Sequence, residues 1–133
     1  MAFPIAIWMD GAEAKVFHVA GETADELVVQ SPARHIHRHP KDHKTRIHNH
    51  PDDQHTFFRD VAACLDGEGP ILIVGPSVTK LLFFRYLAKN NPALEARVVG
   101  LETADHPTDR QIVAHVRDYF RRPSAAAGSD DRA

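Results

Sequence analysis

Only one cysteine, Cys64, occurs among the 133 residues. An intramolecular disulfide and any thiolate-rich zinc site are therefore excluded, and a bound metal would need imidazole or carboxylate ligands. No apolar run approaches the ~20 residues that a membrane-spanning helix requires, so no membrane partner is expected. The N-terminal MAFPIAIWMDG lacks the basic region of a signal peptide and runs straight into a strand pattern; a cytoplasmic location is the expectation. No internal repeat, no HExxH helix and no GxxxxGK[ST] phosphate loop is present. Glycine is missing altogether between Gly21 and Gly67.

What fills that glycine-free interval is a run of histidines and fixed cations. Seven of the ten histidines lie between Arg34 and His55, where Ile36 and Ile47 are the only large apolar residues. Such a segment buries too little apolar surface to repay the entropy of ordering it, so residues 34–55 are expected to form an exposed loop on a scaffold. Loops carried by rigid scaffolds are where binding and catalysis concentrate. Charge is uneven along the chain: Arg34, Arg38, Lys41, Lys44 and Arg46 face one acid, Asp42, giving residues 33–51 a charge of +4 in a chain whose net charge is −2. A basic island on an acidic body suits a local anionic partner such as RNA phosphate. Protonation of imidazoles near their reference pKa of about 6.5 would add to it as pH falls.

The rest of the chain is ordinary for a globular protein, 43% hydrophobic and 26% charged, and its length suits one domain over residues 1–122. Ile5 to Met9 and Ala14 to Ala20 flank the turn Asp10-Gly11-Ala12-Glu13, which predicts a β-hairpin. Glu26 to Ser31 supplies a third strand ended by Pro32. After the histidine loop, Asp52 and Asp53 suit the cap and first turn of a helix starting near Asp53, with Phe57, Phe58, Val61, Ala62 and Leu65 inward until Gly67. Ile71 to Val74 reads as a strand buried on both faces. Gly75-Pro76-Ser77 turns into a helix over 78–89 with Leu81, Leu82, Phe84 and Leu87 inward and Ser77 as its cap, ended by Asn90-Asn91-Pro92. Arg97 to Leu101 is the last strand. Thr108 and Gln111 form a capping box for a final helix burying Ile112, Val113, Val116, Tyr119 and Phe120. Residues 123–133 are expected to be a disordered tail. The order βββ-loop-α-β-α-β-α predicts an α/β fold of ribonuclease-H-like type, a mixed sheet flanked by helices.

Four segments, IAIWMDGAEAKVFHVAG, VVQSP, ILIVGPSVTK and VVGLETADHPTD, stand in the order and spacing of a known domain. Across Ile5 to Phe120 the chain resembles the middle domain of the archaeal and eukaryotic class-1 peptide-chain release factors, and their single-domain bacterial relatives, the translational machinery proteins. In that family the loop after the third strand carries a Gly-Gly-Gln tripeptide that promotes peptidyl-tRNA hydrolysis on the ribosome. The resemblance implies the fold and an association with ribosomal RNA or tRNA. The hydrolase activity does not carry over, because no glycine is available to supply the tripeptide's backbone freedom and Gln54 alone does not replace it.

Two uses of the loop follow. For RNA, the cations Arg34, Arg38, Lys41, Lys44 and Arg46 would neutralise phosphates while imidazoles stack or donate; against this stands a solvated, self-repelling face, and no aromatic interleaves the basic residues. For metal, His35, His37 and His39 would project from one face of an extended segment about 6 to 7 Å apart, and His48 and His50 repeat the pairing. Neutral imidazoles suit zinc or nickel; against this stands a polar loop that takes up metal adventitiously. A two-metal nuclease would need carboxylates at strand ends. Asp10, Glu102 and Asp105 are the candidates, but Asp10 also suits the hairpin turn, and the buried strand ends in Gly75-Pro76. Cys64 is expected to be a buried or half-buried thiol, His18 and His115 ordinary partly exposed side chains, and His106 a turn residue. A scaffold with exposed strands is also able to form a homodimer.

Overall fold

A computed structural model describes residues 3–21, 23–32 and 51–121, with the side chains of Pro51 and Asp52 left aside. Three strands open the fold: β1 (Ile5–Met9), β2 (Glu13–Ala20) and β3 (Thr23–Gln30). Asp10 makes the first turn, its Oδ1 accepting from the Ala12 and Glu13 amides at 2.9 and 3.0 Å. Gly21, at φ 63°, makes the second, where a side chain would meet the left-handed backbone penalty. Strand β3 starts three residues before the expected Glu26, because the hairpin register pairs Thr23 with Ala20 directly across the turn.

Helix α1 (Pro51–Ala62) follows, then β4 (Ile71–Gly75), α2 (Thr79–Asn90), the short α3 (Pro92–Glu95), β5 (Val98–Thr103) and α4 (Asp109–Arg121). The five strands form one mixed sheet in the order β3-β2-β1-β4-β5. Strands β1 and β2, and β2 and β3, pair antiparallel; β1 and β4, and β4 and β5, pair parallel. The α/β class, the mixed sheet and the flanking helices are as the sequence predicts.

All residues of β1 and β4 are buried, as central strands with both faces covered require. On one face Ile5, Ile7, Met9, Val16, Ile71 and Ile73 meet Phe57, Phe58 and Val61 of α1 and Phe83 and Leu87 of α2. On the other, Ala6, Trp8, Phe17, Leu72 and Val74 meet Ile112 and Val116 of α4. Phe58 and Phe83 join α1 to α2 edge to face, ring centroids 5.3 Å apart.

Several boundaries differ from expectation for local reasons. Helix α1 begins at Pro51, whose fixed φ suits a first helical position, so residues 51–55 are helix and not loop, and Leu65 is buried beyond the helix end. In α2 the buried stripe is Thr79, Lys80, Phe83 and Leu87, while Leu81 is 46% exposed. The run Leu81-Leu82-Phe83-Phe84 is apolar on every side, so its periodicity does not select a face. Asn91 ends α2 through its amide to the Leu87 carbonyl and starts α3, an element not anticipated, by accepting from the Leu94 amide. Glu102 lies within β5 instead of after it. The capping box forms as expected: Thr108 N–H donates to Gln111 Oε1 at 2.8 Å and Gln111 N–H to Thr108 Oγ1 at 3.1 Å.

Candidate functional site

The sheet has one edge where β1, β4 and β5 all end, and β3 ends there too. Gln30 pairs with Glu13, and the Ser31 amide donates to the Ala12 carbonyl at 2.9 Å beside the Asp10 turn. Helix α1 runs the other way. Just past its last turn, the Cys64 carbonyl lies 2.9 Å from His18 Nε2, and His18 pairs with Ile5 at the opposite edge. Twelve helical residues span about 18 Å, much the same as the ~17 Å of a five-residue strand. Pro32 and Pro51 therefore both stand at the carboxyl edge, and residues 33–50 leave and rejoin the described structure on the same side. In open α/β sheets ligands bind outside the carboxyl ends of strands.

The predicted site residues Arg34, Arg38, Lys41, Lys44 and Arg46, and His35, His37, His39, His48 and His50, lie outside the described residues, as does the tail 123–133. His55 is described, on α1, with its ring 5.3 Å from that of Tyr86.

The rest of the carboxyl edge is polar and tied down. Lys80 is 6% exposed, and its Nζ donates to the Gly75 carbonyl at 3.1 Å and the Ser77 carbonyl at 2.7 Å. The ammonium thus pins the turn after β4 to the first turn of α2, a structural role for this lysine. Ser77 contributes one long cap contact, accepting from the Thr79 amide at 3.4 Å. Gly75 has no room for a side chain, because an added Cβ would overlap the Met9 carbonyl oxygen.

At the ends of β1 and β5, Trp8 Nε1 donates to the Asp105 carbonyl at 2.9 Å, and His106 sits 3.7 Å from Asp10 and 3.4 Å from Asp105. Glu102 accepts His115 Nε2 at 2.7 Å beside a cavity of about 290 Å³ lined by Val74, Ile112 and Val116. Of the nuclease candidates, Asp10 and Asp105 flank His106, while Glu102 is held apart by His115. Asp10 is engaged in its turn and Glu102 by α4, and among the described residues no three histidines, cysteines or carboxylates gather where a metal ion could be held. The pairing of His115 with Glu102 had a faint sequence signal, a strand residue and a helix residue on the same sheet face, but one needing the strand register to be recognised.

A second polar cluster joins β2 and β3 to α4. Lys15 Nζ lies 3.0 Å from Asp109 Oδ1 and 6.0 Å from the Trp8 ring centroid, and the hydrogen bond to Asp109 raises the lysine's pKa. Desolvation, then its hydrogen bond to Asp109, raises the Glu26 carboxyl. Burial pushes the half-buried Cys64 thiol up as well, so it is not an activated nucleophile.

Among the described residues no helix is long and apolar enough to cross a membrane. No protein-family profile and no curated protein sequence matches the chain. Solved structures do. Pelota from Thermoplasma acidophilum is similar with a TM-score of 0.59 at 22% identity, over 96% of this chain and 34% of that one. Pelota from Archaeoglobus fulgidus is similar with a TM-score of 0.57 at 16% identity, over 96% and 40%. The archaeal translation termination factor aRF1 gives a TM-score of 0.49 at 13% identity, over 96% and 42%. At these identities the likeness to Pelota is one of fold, and the chain spans less than half the length of these proteins: it has the mixed α/β architecture found within Pelota.

Proposed function

We propose that the chain is a translation-associated protein that presents its basic histidine-rich segment to ribosomal RNA or tRNA, without peptidyl-tRNA hydrolase activity. The observation that carries this reading is the common edge of Pro32 and Pro51. In a fold shared with part of Pelota, the interval holding five fixed cations is inserted where strand ends favour ligands. It is also where the release-factor resemblance puts the tripeptide loop. The absence of glycine between Gly21 and Gly67 removes the hydrolytic tripeptide, so binding is the function left to the segment. A cytoplasmic location goes with this role.

The test is co-sedimentation with ribosomes in sucrose gradients. Wild-type protein is expected to travel with ribosomes at low salt. A variant with Arg34, Arg38, Lys41, Lys44 and Arg46 changed to alanine is expected to stay at the top. If all five cations contact phosphates, the logarithm of affinity falls against the logarithm of salt with a slope of about −3.5 to −4.5. Failure of the wild-type protein to travel with ribosomes at any salt refutes the reading. Zinc or nickel binding by His35, His37, His39, His48 and His50 is the competing outcome. It would show as tight, selective uptake in calorimetry that is lost when the first three become alanine.

A further inference from the structure

Among the described residues strand β3 is the end of the sheet, and the geometry points to this edge as the surface on which a second copy of the chain docks, by antiparallel β3 to β3 pairing about a two-fold axis at Leu27. The backbone pattern decides which groups are on offer. The Ser31 amide donates to Ala12 and the Asp10 amide to the Glu13 carbonyl. Hydrogen-bonded pairs alternate along an antiparallel ladder. Thus Thr23, Asp25, Leu27 and Val29 turn their backbone groups toward β2, and Ala24, Glu26, Val28 and Gln30 turn theirs outward. The ladder between β2 and β3 has no bulge over its eight pairs, so the outward row is regular.

Thr23–Gln30 contains neither lysine nor proline, and its only charges are the neighbouring Asp25 and Glu26. Leu27 and Val28 are 46% and 52% exposed on opposite faces of the strand. The other sheet edge is poorer, since β5 carries a register irregularity against β4 between Val98 and Gly100.

Charge and register then select the partner. Outward residues can pair only with outward residues, which puts the two-fold axis on a residue and not between two; the longer ladders have it at Glu26, Leu27 or Val28. An axis at Glu26 sets that carboxylate against its own copy, a destabilising pair. An axis at Val28 pairs only Glu26 to Gln30. An axis at Leu27 pairs Ala24 with Gln30, Asp25 with Val29 and Glu26 with Val28, so no acid faces an acid and the longest ladder forms. The two Leu27 side chains then meet as a non-hydrogen-bonded pair, the closest kind, with Cα atoms about 4.5 Å apart. In-register parallel pairing would stack Asp25 on Asp25 and Glu26 on Glu26.

The test uses the full chain. Light scattering is expected to give twice the 14.8 kDa chain mass at high concentration, relaxing to the monomer on dilution. In a Cys64→Ser background, Leu27→Cys is expected to form a covalent dimer rapidly under mild oxidation. Val28→Cys is expected to lag at least tenfold, because its copies lie diagonally, beyond the ~7 Å Cα reach of a disulfide. Val28→Pro, which removes an amide facing solvent in the monomer, should abolish the dimer with the circular dichroism unchanged. Should that variant not fold, Leu27→Lys sets two ammonium groups face to face and serves the same purpose. Wild-type protein that stays monomeric up to its solubility limit overturns the proposal. So does crosslinking of Val28→Cys as fast as Leu27→Cys, or a dimer that survives either edge variant.

Discussion

Replacing Lys80 with methionine tests whether one buried ammonium holds the carboxyl edge together. The side chain is 6% exposed, and Nζ donates to two carbonyls. Methionine keeps most of the apolar stem and deletes the donors. The Gly75 carbonyl retains a partner in the Ala104 amide at 3.0 Å, so the main loss falls on the Ser77 carbonyl. Orphaning one buried acceptor costs about 1 to 3 kcal/mol, and bonds from a charged donor are each worth about 1.5 to 3 kcal/mol. Against this, the variant no longer desolvates an ammonium, a penalty of several kcal/mol per ion. The terms leave a net destabilisation of about 2 kcal/mol. Urea denaturation of Lys80→Met should show a lower midpoint with an unchanged m-value, and thermal melting a fall of ~6 to 10 °C for a chain of this size. If the variant is as stable as wild type or more so, desolvation outweighs the two hydrogen bonds. Lys80 would then be a burden tolerated at this turn and not a pin that holds it.

Gly75→Ala should be harsher, about 3 kcal/mol or more, because the added Cβ meets the Met9 backbone and not a side chain able to move aside; a chain that melts normally would show that β1 and β4 can separate there. Glu26→Gln should be neutral or slightly stabilising near pH 7. The folded-state pKa of Glu26 is raised above 4.5, first by desolvation and then by Asp109, so the folded state holds its proton more tightly than the unfolded chain. Its contribution to stability therefore falls as pH rises from about 4.5 through the folded pKa. At this exposed position solvent screening limits the effect to about a few tenths of a kcal/mol. Denaturation midpoints of wild type and variant compared at pH 4 and pH 7 should converge at the lower pH; divergence there contradicts the assigned sign.

Much of the fold is legible in the residues because its signals are local. The Asp10 turn, the Thr108 and Gln111 capping box and the fully apolar Ile71 to Val74 strand each depend on neighbours within a few positions. Their backbone groups and side chains solve the problem on the spot. Boundaries slipped where two local rules compete, as at Pro51, where a residue read as closing the loop is also a favoured first helical residue. The inward face of α2 was illegible because four consecutive apolar residues satisfy any face. Only Phe58 and the sheet beneath choose Phe83 over Leu81.

The sequence by itself determined the order of elements apart from the short α3, the mixed α/β class and the concentration of five cations and seven histidines in one glycine-free interval. Tertiary structure alone decided that β1 is central, that Pro32 and Pro51 share an edge, that Lys80 is buried and that Glu26 and Val28 turn their backbone groups to the open side of β3. The division has a physical cause. Turns, caps and periodicity are set by interactions a few residues long, whereas adjacency, burial and hydrogen-bond parity depend on which distant strands pair, and no residue carries that information alone.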